Sequence, residues 1–403
     1  MDEDILGDLR LVEISAFVAA PLAGLALAQM GAVVIRIDQA GGGPDATRWP
    51  LSDSGVSLYW QGLNKAKRSL ALDLRDDEGR EQARQLIAET GIVVTNMPDA
   101  EWLDYGSLRE LRPDLIMLSI GGTHDGRRAV DYTIQARTGL GFVNGRARPD
   151  MPVNQAFPAW DSVCGLLAAS GLLAAERRRR LTGEGGLIRL SLEDCALWML
   201  GNLGMLAEAE LDRGPRLPSG NDVFGAFGSD FATRDGRHVM VCAIGNRQWR
   251  ALLEATQTTE SMTHLARAFG VDLQTDGDRW TLRDAIRLRL APWFAERDFA
   301  EVAEVLQARQ VLWGPYQTLE DLVARDPACS ERNPLFARIE QPGVGAYLTP
   351  GIPLDFGTAR SLASRRAPRQ GADTDEILTR LGQDRDAGAR HRAGEGTTGG
   401  GGQ

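Results

Sequence analysis

Short apolar runs rich in β-branched residues alternate with longer helical segments through the first half of the chain. Runs of this length favour strands that are buried on both faces, as in a parallel sheet. The strand candidates are LRLVEIS (9–15), AVVIRID (32–38), GIVVTN (91–96), DLIMLSI (114–120) and GLIRLSL (186–192). The helix candidates between them are APLAGLALAQM (20–30), DDEGREQARQLIAET (76–90) and the segment that follows Asp161. The alternation predicts an α/β fold in which helices cover both faces of a parallel sheet.

The pattern changes near residue 214. The segment RGPRLPSGNDVFGAFGSDF (213–231) is rich in Gly and Pro, which indicates a linker or an active-site loop. A β-rich run, HVMVCAI (238–244), follows it and leads into three helical segments, so we expect a smaller α+β domain. The helical segments are RQWRALLEAT, WTLRDAIRLRLAPWFAE and FAEVAEVLQAR.

These changes divide the chain into four parts. We expect a large domain over 1–214, a small α+β domain over 215–325, and a loop-rich segment over 326–383 that returns to the large domain. The last residues, 384–403, end in TTGGGGQ, a composition typical of a disordered tail.

The overall charge limits the ligands that the protein can bind. Across 403 residues the formal net charge is −10, which argues against a general affinity for nucleic acid or an anionic membrane. An anionic ligand therefore needs a local basic pocket. No apolar run reaches the length of a membrane span, and the acidic start MDEDILGD lacks the basic region of a signal peptide. We therefore expect a cytoplasmic protein.

The motifs of several common catalytic sites are missing from the sequence. The four cysteines and the four histidines are scattered, so neither a disulfide framework nor a metal site is predicted. No G-x-G-x-x-G follows the first strand candidate, which leaves weak support for a dinucleotide cofactor. The P-loop and G-x-S-x-G patterns are also absent, so carboxylates are the candidate nucleophiles.

Asp161 stands at the expected start of a helix made mainly of Ala, Gly, Leu and Ser. An Asp there can be an N-cap, because its side-chain oxygen accepts unpaired N–H groups of the first turn. It can also be a nucleophile, held where small side chains leave room for a substrate. The local sequence favours the N-cap and leaves the nucleophile as the alternative.

A basic cluster lies in the segment NKAKRSLALDLR, which contains Lys65, Lys67, Arg68 and Arg75. Such a cluster is commonly a solvated turn and strand edge. It can equally be a phosphate pocket, in which Arg and Lys side chains hold anionic oxygens. The residues leave these two interpretations open.

A series of segments, in order along most of the chain from about Leu9 to Leu381, resembles family III CoA transferases. The segments are SAFVAAPLAGLALAQMGAVVIRID, GGGPDATRWP, NKAKRSLALDL, VVTNMP, VDYTIQARTGL, PAWDSVCGLLAASGLLAAERRRRLTGEG and TDEILTRLG. The resemblance implies a large Rossmann-like domain built from both ends of the chain, a small domain between them, and an interlocked homodimer. It also implies that a coenzyme A thioester is the substrate and that no cofactor is permanently bound.

The resemblance further assigns roles to individual residues, and it makes Asp161 the catalytic nucleophile. The positions expected to bind CoA are Val18, Ala19, Gln39, Leu72, Asn96 and Met97, with Arg75 at a phosphate. The positions expected to face the acyl group are Arg48, Trp49 and Tyr132. Gly225 and Gly228 are either backbone donors to the oxyanion of the transfer or ordinary turn glycines.

Within the family, segments such as GGGPDATRWP, PAWD and NDVFGAFGSDF are most similar to members that move CoA from the C1 to the C4 carboxyl of mesaconate. This intramolecular transfer converts 2-methylfumaryl-CoA into 3-methylfumaryl-CoA. Arg48 is then the candidate that holds the second carboxylate, although it can equally form a surface ion pair with Asp45.

Three other functions are left open by the sequence. The nearest is intermolecular transfer between an acyl-CoA, such as succinyl-CoA, and a free carboxylate. Racemisation of an α-methylacyl-CoA is disfavoured, because Val130 precedes Asp131 where the racemases of the family carry a histidine. The last is a catalytically silent CoA-binding protein in which Asp161 only caps its helix.

Overall fold

The computed structural model describes residues 5–145, 151–211, 214, 216, 218–357 and 365–383. The predicted tail, 384–403, lies outside the described residues. The chain forms two compact units. The first comprises the described residues within Met1–Arg137, Ala156–Glu210 and Pro327–Gln403, and the second those within Thr138–Gln155 and Leu211–Asp326. The described residues within 138–155, a range that the sequence assigns to the large domain, group with the second unit, where the Ser219 N–H donates to the Val143 carbonyl at 3.0 Å.

The strands form three sheets. In chain order they are β1 (Arg10–Ile14), β2 (Val33–Gln39), β3 (Arg68–Leu72), β4 (Ile92–Thr95), β5 (Ile116–Gly121), β6 (Gly186–Ser191), β7 (Phe227–Ala232), β8 (His238–Ala243), β9 (Leu312–Pro315), β10 (Phe336–Gln341) and β11 (Gly345–Pro350). The first six make one sheet, and the remaining strands make a three-stranded sheet, β7-β8-β9, and a hairpin, β10-β11.

The helices separate these strands. In chain order they are α1 (Ala19–Gln29), α2 (Leu58–Leu63), α3 (Asp77–Thr90), α4 (Tyr105–Leu111), α5 (Asp131–Arg137), α6 (Gly141–Asn144), α7 (Ala159–Thr182), α8 (Leu192–Asn202), α9 (Met205–Glu210), α10 (Asn246–Thr256), α11 (Thr259–Phe269), α12 (Asp276–Thr281), α13 (Arg283–Ala295), α14 (Phe299–Ala308) and α15 (Leu319–Arg325). Within the described residues, no helix is both long and apolar enough to span a membrane.

The six-stranded sheet of the first unit is parallel throughout, in the order β3-β2-β1-β4-β5-β6. All five strand candidates of the N-terminal half belong to it, so the predicted α/β fold with a parallel sheet is confirmed. The apolar pattern does not single out β3, because this short strand follows the basic cluster. The direction of the strand order reverses between β1 and β4, and ligands of open α/β sheets bind at the carboxyl ends of strands at such a switch point.

Helices α1 and α7 pack closely against each other because small residues face the contact. A Cβ atom added to Gly165 in α7 would lie 2.7 Å from the Ala19 carbonyl oxygen of α1 and 2.9 Å from the Leu22 Cβ. Distances this short are not tolerated between real atoms, so the glycine is required by helix packing. The small side chains of α7 thus have a structural reason besides any room for a substrate.

The C-terminal segment covers the exposed edge of the sheet at β3. The Ser69 and Ala71 N–H groups of this edge strand donate to the Asp373 carboxylate at 2.9 Å and the Thr374 hydroxyl at 3.0 Å. Ile377 is fully buried in the core between the sheet and α3. An edge strand with unpaired N–H groups is a site of aggregation, and these side chains satisfy it. The segment also contains the β10-β11 hairpin, where the sequence predicts only loops.

The second unit is an α+β structure with its own core. Its antiparallel sheet, β7-β8-β9, packs against helices α10, α13 and α14. The core includes Phe227, Trp249 and Phe294, and the Phe231 and Phe294 rings stack with centroids 4.2 Å apart. β8 and the three helices follow the predicted pattern, whereas β7 lies in the segment interpreted as a linker or loop.

Candidate active site

Asp161 lies in the first turn of α7, as its third residue, and the N-cap position of this helix is held by Pro158. The interpretation of Asp161 as the N-cap is therefore wrong. Proline has no side-chain acceptor, so the first N–H groups of α7 need a partner from elsewhere. The N–H groups of Trp160 and Asp161 both donate to the Asp131 carboxylate oxygen Oδ2, at 2.7 and 3.0 Å.

Asp131 is buried at the start of α5, with 2 % of its surface exposed. Its second oxygen, Oδ1, accepts a hydrogen bond of 2.5 Å from the Gln135 side-chain amide, one turn further along α5. The same amide nitrogen donates to the Phe157 carbonyl at 3.3 Å. Asp131 therefore caps a helix that begins about thirty residues later in the chain, a role that the local sequence does not indicate.

The Asp161 carboxylate is half-buried, and none of the described residues donates a hydrogen bond to it. Burial raises the pKa of Asp161 to about 7, because a charged group loses hydration there. The negative charge of Asp131 raises this pKa further, whereas the positive charge of Arg48 lowers it. Near neutral pH, Asp161 is thus divided between its neutral form and a poorly solvated carboxylate, which is the form that can act as a nucleophile.

Arg48 lies in the loop between β2 and α2, against two aromatic rings. Its guanidinium carbon is 5.1 Å from the centre of the Tyr59 ring and 5.7 Å from that of the Phe17 ring. Across the described part of the chain, Arg48 has no ion pair at 4.0 Å or less. The alternative pairing with Asp45 is wrong, because the Asp45 carboxylate is buried and pairs with Arg36 at 2.9 Å.

Tyr59 and Phe17 join this site, although the sequence analysis does not name them. Burial is the main cause that raises the pKa of Tyr59 to about 12, and Arg48 opposes the shift. The phenol therefore stays protonated and can donate a hydrogen bond. Phe17 has a φ of 67°, in the left-handed region that side chains other than glycine rarely adopt. Strained backbone of this kind clusters at functional sites, and it is a signal that only the structure provides.

Arg36 anchors the loop that carries Arg48. The Arg36 guanidinium forms buried ion pairs with Glu13 at 3.2 Å, Asp38 at 2.8 Å and Asp45 at 2.9 Å. Because buried charges require such partners, the loop is held to the sheet at Asp45, three residues before Arg48.

The predicted CoA-binding residues lie around the carboxyl ends of β1 to β4. Asn96, which follows β4, bonds both backbone groups of Ala16, which follows β1: its Oδ1 accepts at 2.9 Å and its Nδ2 donates at 2.7 Å. Met97 beside it is exposed. These bonds tie the two loops together across the switch point of the sheet.

The other predicted CoA positions are more enclosed. Val18 and Ala19, at the start of α1, are buried, and Gln39 pairs in register with the buried Leu72 at the ends of β2 and β3. Their side chains belong to the packed structure around the switch point. The role of each in CoA binding stays a prediction.

Arg75, the predicted phosphate ligand, is exposed and engaged by a neighbour. Its guanidinium makes two hydrogen bonds with the Asp73 carboxylate, at 2.8 and 2.6 Å, and Gln39 donates to the same carboxylate at 3.1 Å. These contacts hold the pKa of Asp73 well below its usual range.

Neither interpretation of the basic cluster is correct for its two lysines. Lys67 is buried and pairs with Glu13 at 2.8 Å, and Lys65 is buried with its ammonium group on the Pro350 carbonyl oxygen at 2.8 Å. Burial lowers the pKa of both lysines to about 8. Arg68 pairs with Asp373 at 3.2 Å. These three cations hold the fold together, because their partners belong to other segments of the chain.

The remaining predicted acyl-site residues are exposed or lie in the second unit. Trp49 is 79 % exposed, and Tyr132 is exposed with its hydroxyl 3.3 Å from the Ala156 carbonyl oxygen. Gly225 has a φ of 76° in the turn before β7, which explains a glycine there. Gly228 lies within β7, where an added Cβ would be 2.5 Å from the Val223 side chain.

Comparison with known proteins identifies the family of this chain. The chain belongs to CoA-transferase family III, whose sequence profile matches residues 6–374, so the predicted family resemblance is confirmed. The chain is 48 % identical, over 93 % of each sequence, to a 2-methylfumaryl-CoA isomerase of Chloroflexus aurantiacus. It is 29 % identical to a succinyl-CoA:mesaconate CoA-transferase of Haloarcula marismortui, over 94 % of this chain and 97 % of that protein. A crystal structure of a CAIB/BAIF family protein from Brucella suis matches with a TM-score of 0.75 and 25 % identity, over 93 % of this chain and 99 % of the other.

Proposed function

We propose that this enzyme isomerises 2-methylfumaryl-CoA to 3-methylfumaryl-CoA by moving CoA from the C1 to the C4 carboxyl of one mesaconate. The observation that carries the proposal is the Asp161 carboxylate, which is half-buried, accepts no hydrogen bond from the residues that the structure describes, and is close enough to Arg48 for that charge to lower its pKa. The 48 % identity with the Chloroflexus isomerase supports the choice of substrate.

The chemistry suits a carboxylate nucleophile. The Asp161 carboxylate attacks the thioester carbonyl at C1, the C–S bond breaks, and a mixed anhydride forms while CoA leaves as the thiolate. The thiolate then attacks the aspartyl carbonyl, the anhydride C–O bond breaks, and mesaconate is freed beside an Asp161–CoA thioester. Attack by the C4 carboxylate repeats the two steps in reverse, and the Asp161 carboxylate is restored. A serine would form a less activated ester that CoA could not readily reclaim.

Arg48 is the residue that we assign to the free carboxylate of the substrate. It is a cation without an ion pair in the described chain, and a guanidinium holds a carboxylate through two parallel hydrogen bonds. It lies near the rings of Phe17 and Tyr59, and its charge is close enough to Asp161 to lower the pKa of that acid. Trp49 and Tyr132 complete the proposed acyl site.

For the CoA moiety, we retain the positions at the switch point of the sheet, where α/β proteins commonly bind nucleotides. They are Val18, Ala19, Gln39, Leu72, Asn96 and Met97, with Arg75 at a phosphate. Since Arg75 already pairs with Asp73, a phosphate contact requires that pair to open or to be shared. Gly225 and Gly228, the predicted backbone donors to the oxyanion, belong to the second unit, and their role stays a prediction.

We further propose that the enzyme is a homodimer with interlocked subunits. Several large apolar side chains of the first unit are exposed on α7 and α8, which pack against each other. Leu166 of α7 is 56 % exposed and Trp198 of α8 is 54 % exposed. Exposed apolar surface of this kind is typical of a subunit interface. Light scattering on the purified protein tests the mass, and a monomer at micromolar concentration would contradict the proposal.

The isomerase proposal is tested by incubating the purified enzyme with 2-methylfumaryl-CoA alone. The expected result is 3-methylfumaryl-CoA without any added acceptor. A second incubation includes isotope-labelled free mesaconate. Label in the product would overturn the intramolecular step and favour intermolecular transfer, the reaction named for the Haloarcula relative.

Two controls separate the remaining alternatives. In deuterated water, deuterium entering the α-carbon of a 2-methylacyl-CoA would favour racemisation. Intact-protein mass spectrometry should detect a CoA adduct on the wild-type enzyme that is absent from Asp161→Asn. A wild-type protein that binds CoA without product or adduct would be a silent binding protein.

A further inference from the structure

Asp131 shares the N-terminus of α7 with Asp161. We propose that Asp131 is a positioning residue for the CoA transfer: it holds the backbone of Asp161, and its charge favours the covalent aspartyl states over the free carboxylate. This inference rests on the proposed role of Asp161 as the nucleophile.

The positioning role follows from the hydrogen bonds at the helix start. Pro158 cannot cap α7, and the Asp131 Oδ2 atom accepts the N–H groups of Trp160 and Asp161 in its place. A carboxylate at a helix N-terminus also interacts favourably with the helix dipole. The nucleophile is therefore attached to α5 through its own backbone, and a shift of Asp131 moves Asp161.

The charge of Asp131 is held in place without a cation. It has 2 % of its surface exposed and, among the described residues, forms no ion pair at 4.0 Å or less. Its hydrogen bonds come from the two N–H groups of α7 and from the Gln135 amide, all neutral donors. A nearby cation would cancel most of the electric field of a buried carboxylate, whereas neutral donors do not. The negative charge of Asp131 therefore acts on its neighbour Asp161.

The effect of this field depends on the state of Asp161. The Asp131 and Asp161 carboxylates repel each other while Asp161 is ionised, which is why the Asp131 charge raises the pKa of Asp161. The repulsion disappears once Asp161 is part of an anhydride or a thioester, because both groups are neutral. Asp131 therefore raises the free energy of the resting enzyme relative to the covalent states, which is a differential effect of the kind that promotes reaction.

The other groups that face Asp161 are different in kind. Arg48, from the loop after β2, carries the opposite charge and stabilises the ionised form. Tyr59 of α2 is a protonated phenol and Cys164, one turn further along α7, is a buried thiol whose pKa is raised, so both are neutral near pH 7. Of these groups, Asp131 alone is a like charge.

Asp131→Asn separates charge from capping, because the amide oxygen can still accept the two N–H groups while the charge is lost. We expect the acid limb of the pH profile of kcat/KM to move to lower pH by about one unit. We also expect the fraction of enzyme trapped as the Asp161–CoA thioester to fall about fivefold at neutral pH, where half of the free wild-type Asp161 is already protonated. Asp104→Asn is the matched control, since Asp104 caps α4 in the same way, on the Ser107 N–H at 3.0 Å, and should change neither readout.

Gln135→Leu should shift the acid limb of the pH profile of kcat/KM to higher pH, opposite to the shift expected for Asp131→Asn. It leaves the Asp131 charge in place and removes the amide that donates to it, so the repulsion increases and the limb moves to higher pH. This variant also serves if Asp131→Asn does not fold. An acid limb and a thioester fraction equal to those of the wild type, in folded Asp131→Asn or Gln135→Leu, would overturn the inference. A wild-type enzyme that forms no thioester would instead refute the proposed function itself.

Discussion

The Asp131 carboxylate accepts the backbone N–H of Asp161 at 3.0 Å, so one acid caps the helix on which the other acid is presented. When an acid caps its own helix, its carboxylate oxygens accept hydrogen bonds from backbone N–H groups. Because Asp131 supplies the cap, no described residue donates to the Asp161 carboxylate, and burial raises the pKa of Asp161 to about 7.

Asp161→Asn should stabilise the folded protein at alkaline pH. The pKa of about 7 in the folded state exceeds the ordinary value of 3.8, so the stabilising contribution of the acid is complete below about pH 4 and lost as the pH rises through 7. The asparagine side chain keeps the shape of the aspartate but carries no charge. We expect it to be more stable than the wild type by about 1 to 3 kcal/mol near pH 8.5, and the difference to shrink near pH 5.5. Thermal unfolding at both pH values measures this, and a larger difference at the lower pH would contradict it.

The rate of isomerisation should rise with pH through about 7. Attack requires the ionised Asp161, and its fraction falls about tenfold for each pH unit below the pKa. The pH dependence of kcat/KM reports this group in the free enzyme, and single-turnover formation of the CoA adduct reports the attack directly. A rate that stays constant from about pH 5.5 to 8.5 would be incompatible with the raised pKa.

Arg48→Met should discriminate between substrates with and without a second carboxylate. Removal of one partner of a desolvated charge pair costs about 2 to 5 kcal/mol, so adduct formation from 2-methylfumaryl-CoA should slow about 30-fold or more. Adduct formation from crotonyl-CoA, which has no distal carboxylate, should slow far less, and only because Asp161 loses the Arg48 charge that lowers its pKa. Arg237→Met is the matched control, because Arg237 also lies over a ring, 3.4 Å from the centroid of Phe299, but in the second unit. An equal fall in the rate of adduct formation with both substrates would show that Arg48 does not bind the distal carboxylate.

Gly165→Ala should weaken the packing that places α7. The added methyl group would meet the Ala19 carbonyl oxygen at 2.7 Å, so α1 and α7 must separate, at a cost of about 1 to 3 kcal/mol in the free energy of unfolding. Since α7 carries Asp161, the turnover should fall as well. Denaturant unfolding and the isomerisation assay provide the two measurements.

Gly171→Ala, on the same helix, is the control for this substitution. There the nearest atom to the added methyl group is a Leu118 carbon at 3.7 Å, an ordinary contact. The gain in helix propensity should leave the protein equally stable or more stable by up to about 1 kcal/mol. If the two alanine variants lose the same stability, the close contact at Gly165 is not the cause.

Much of the fold could be predicted because the signals are local. Buried parallel strands are continuous apolar runs, so five strands of the central sheet and the helices α1, α3 and α7 stand out along the chain. The signal fails for β3 and for the β10-β11 hairpin, whose stability depends on partners elsewhere. The N–H groups of β3, for instance, donate hydrogen bonds to side chains about three hundred positions later.

In the candidate site, too, features carried by neighbouring residues could be predicted, whereas contacts between distant segments could not. The sequence by itself determined the family and the parallel sheet, because each is carried by runs of neighbouring residues, and the family resemblance pointed to Asp161. Only the tertiary structure decided that Asp131 caps α7, that Asp45 pairs with Arg36 instead of Arg48, and that Lys67 is a buried partner of Glu13. The reason is physical: a charge is fixed by the hydration it loses and the partner it gains, and both depend on segments that meet only in the folded chain.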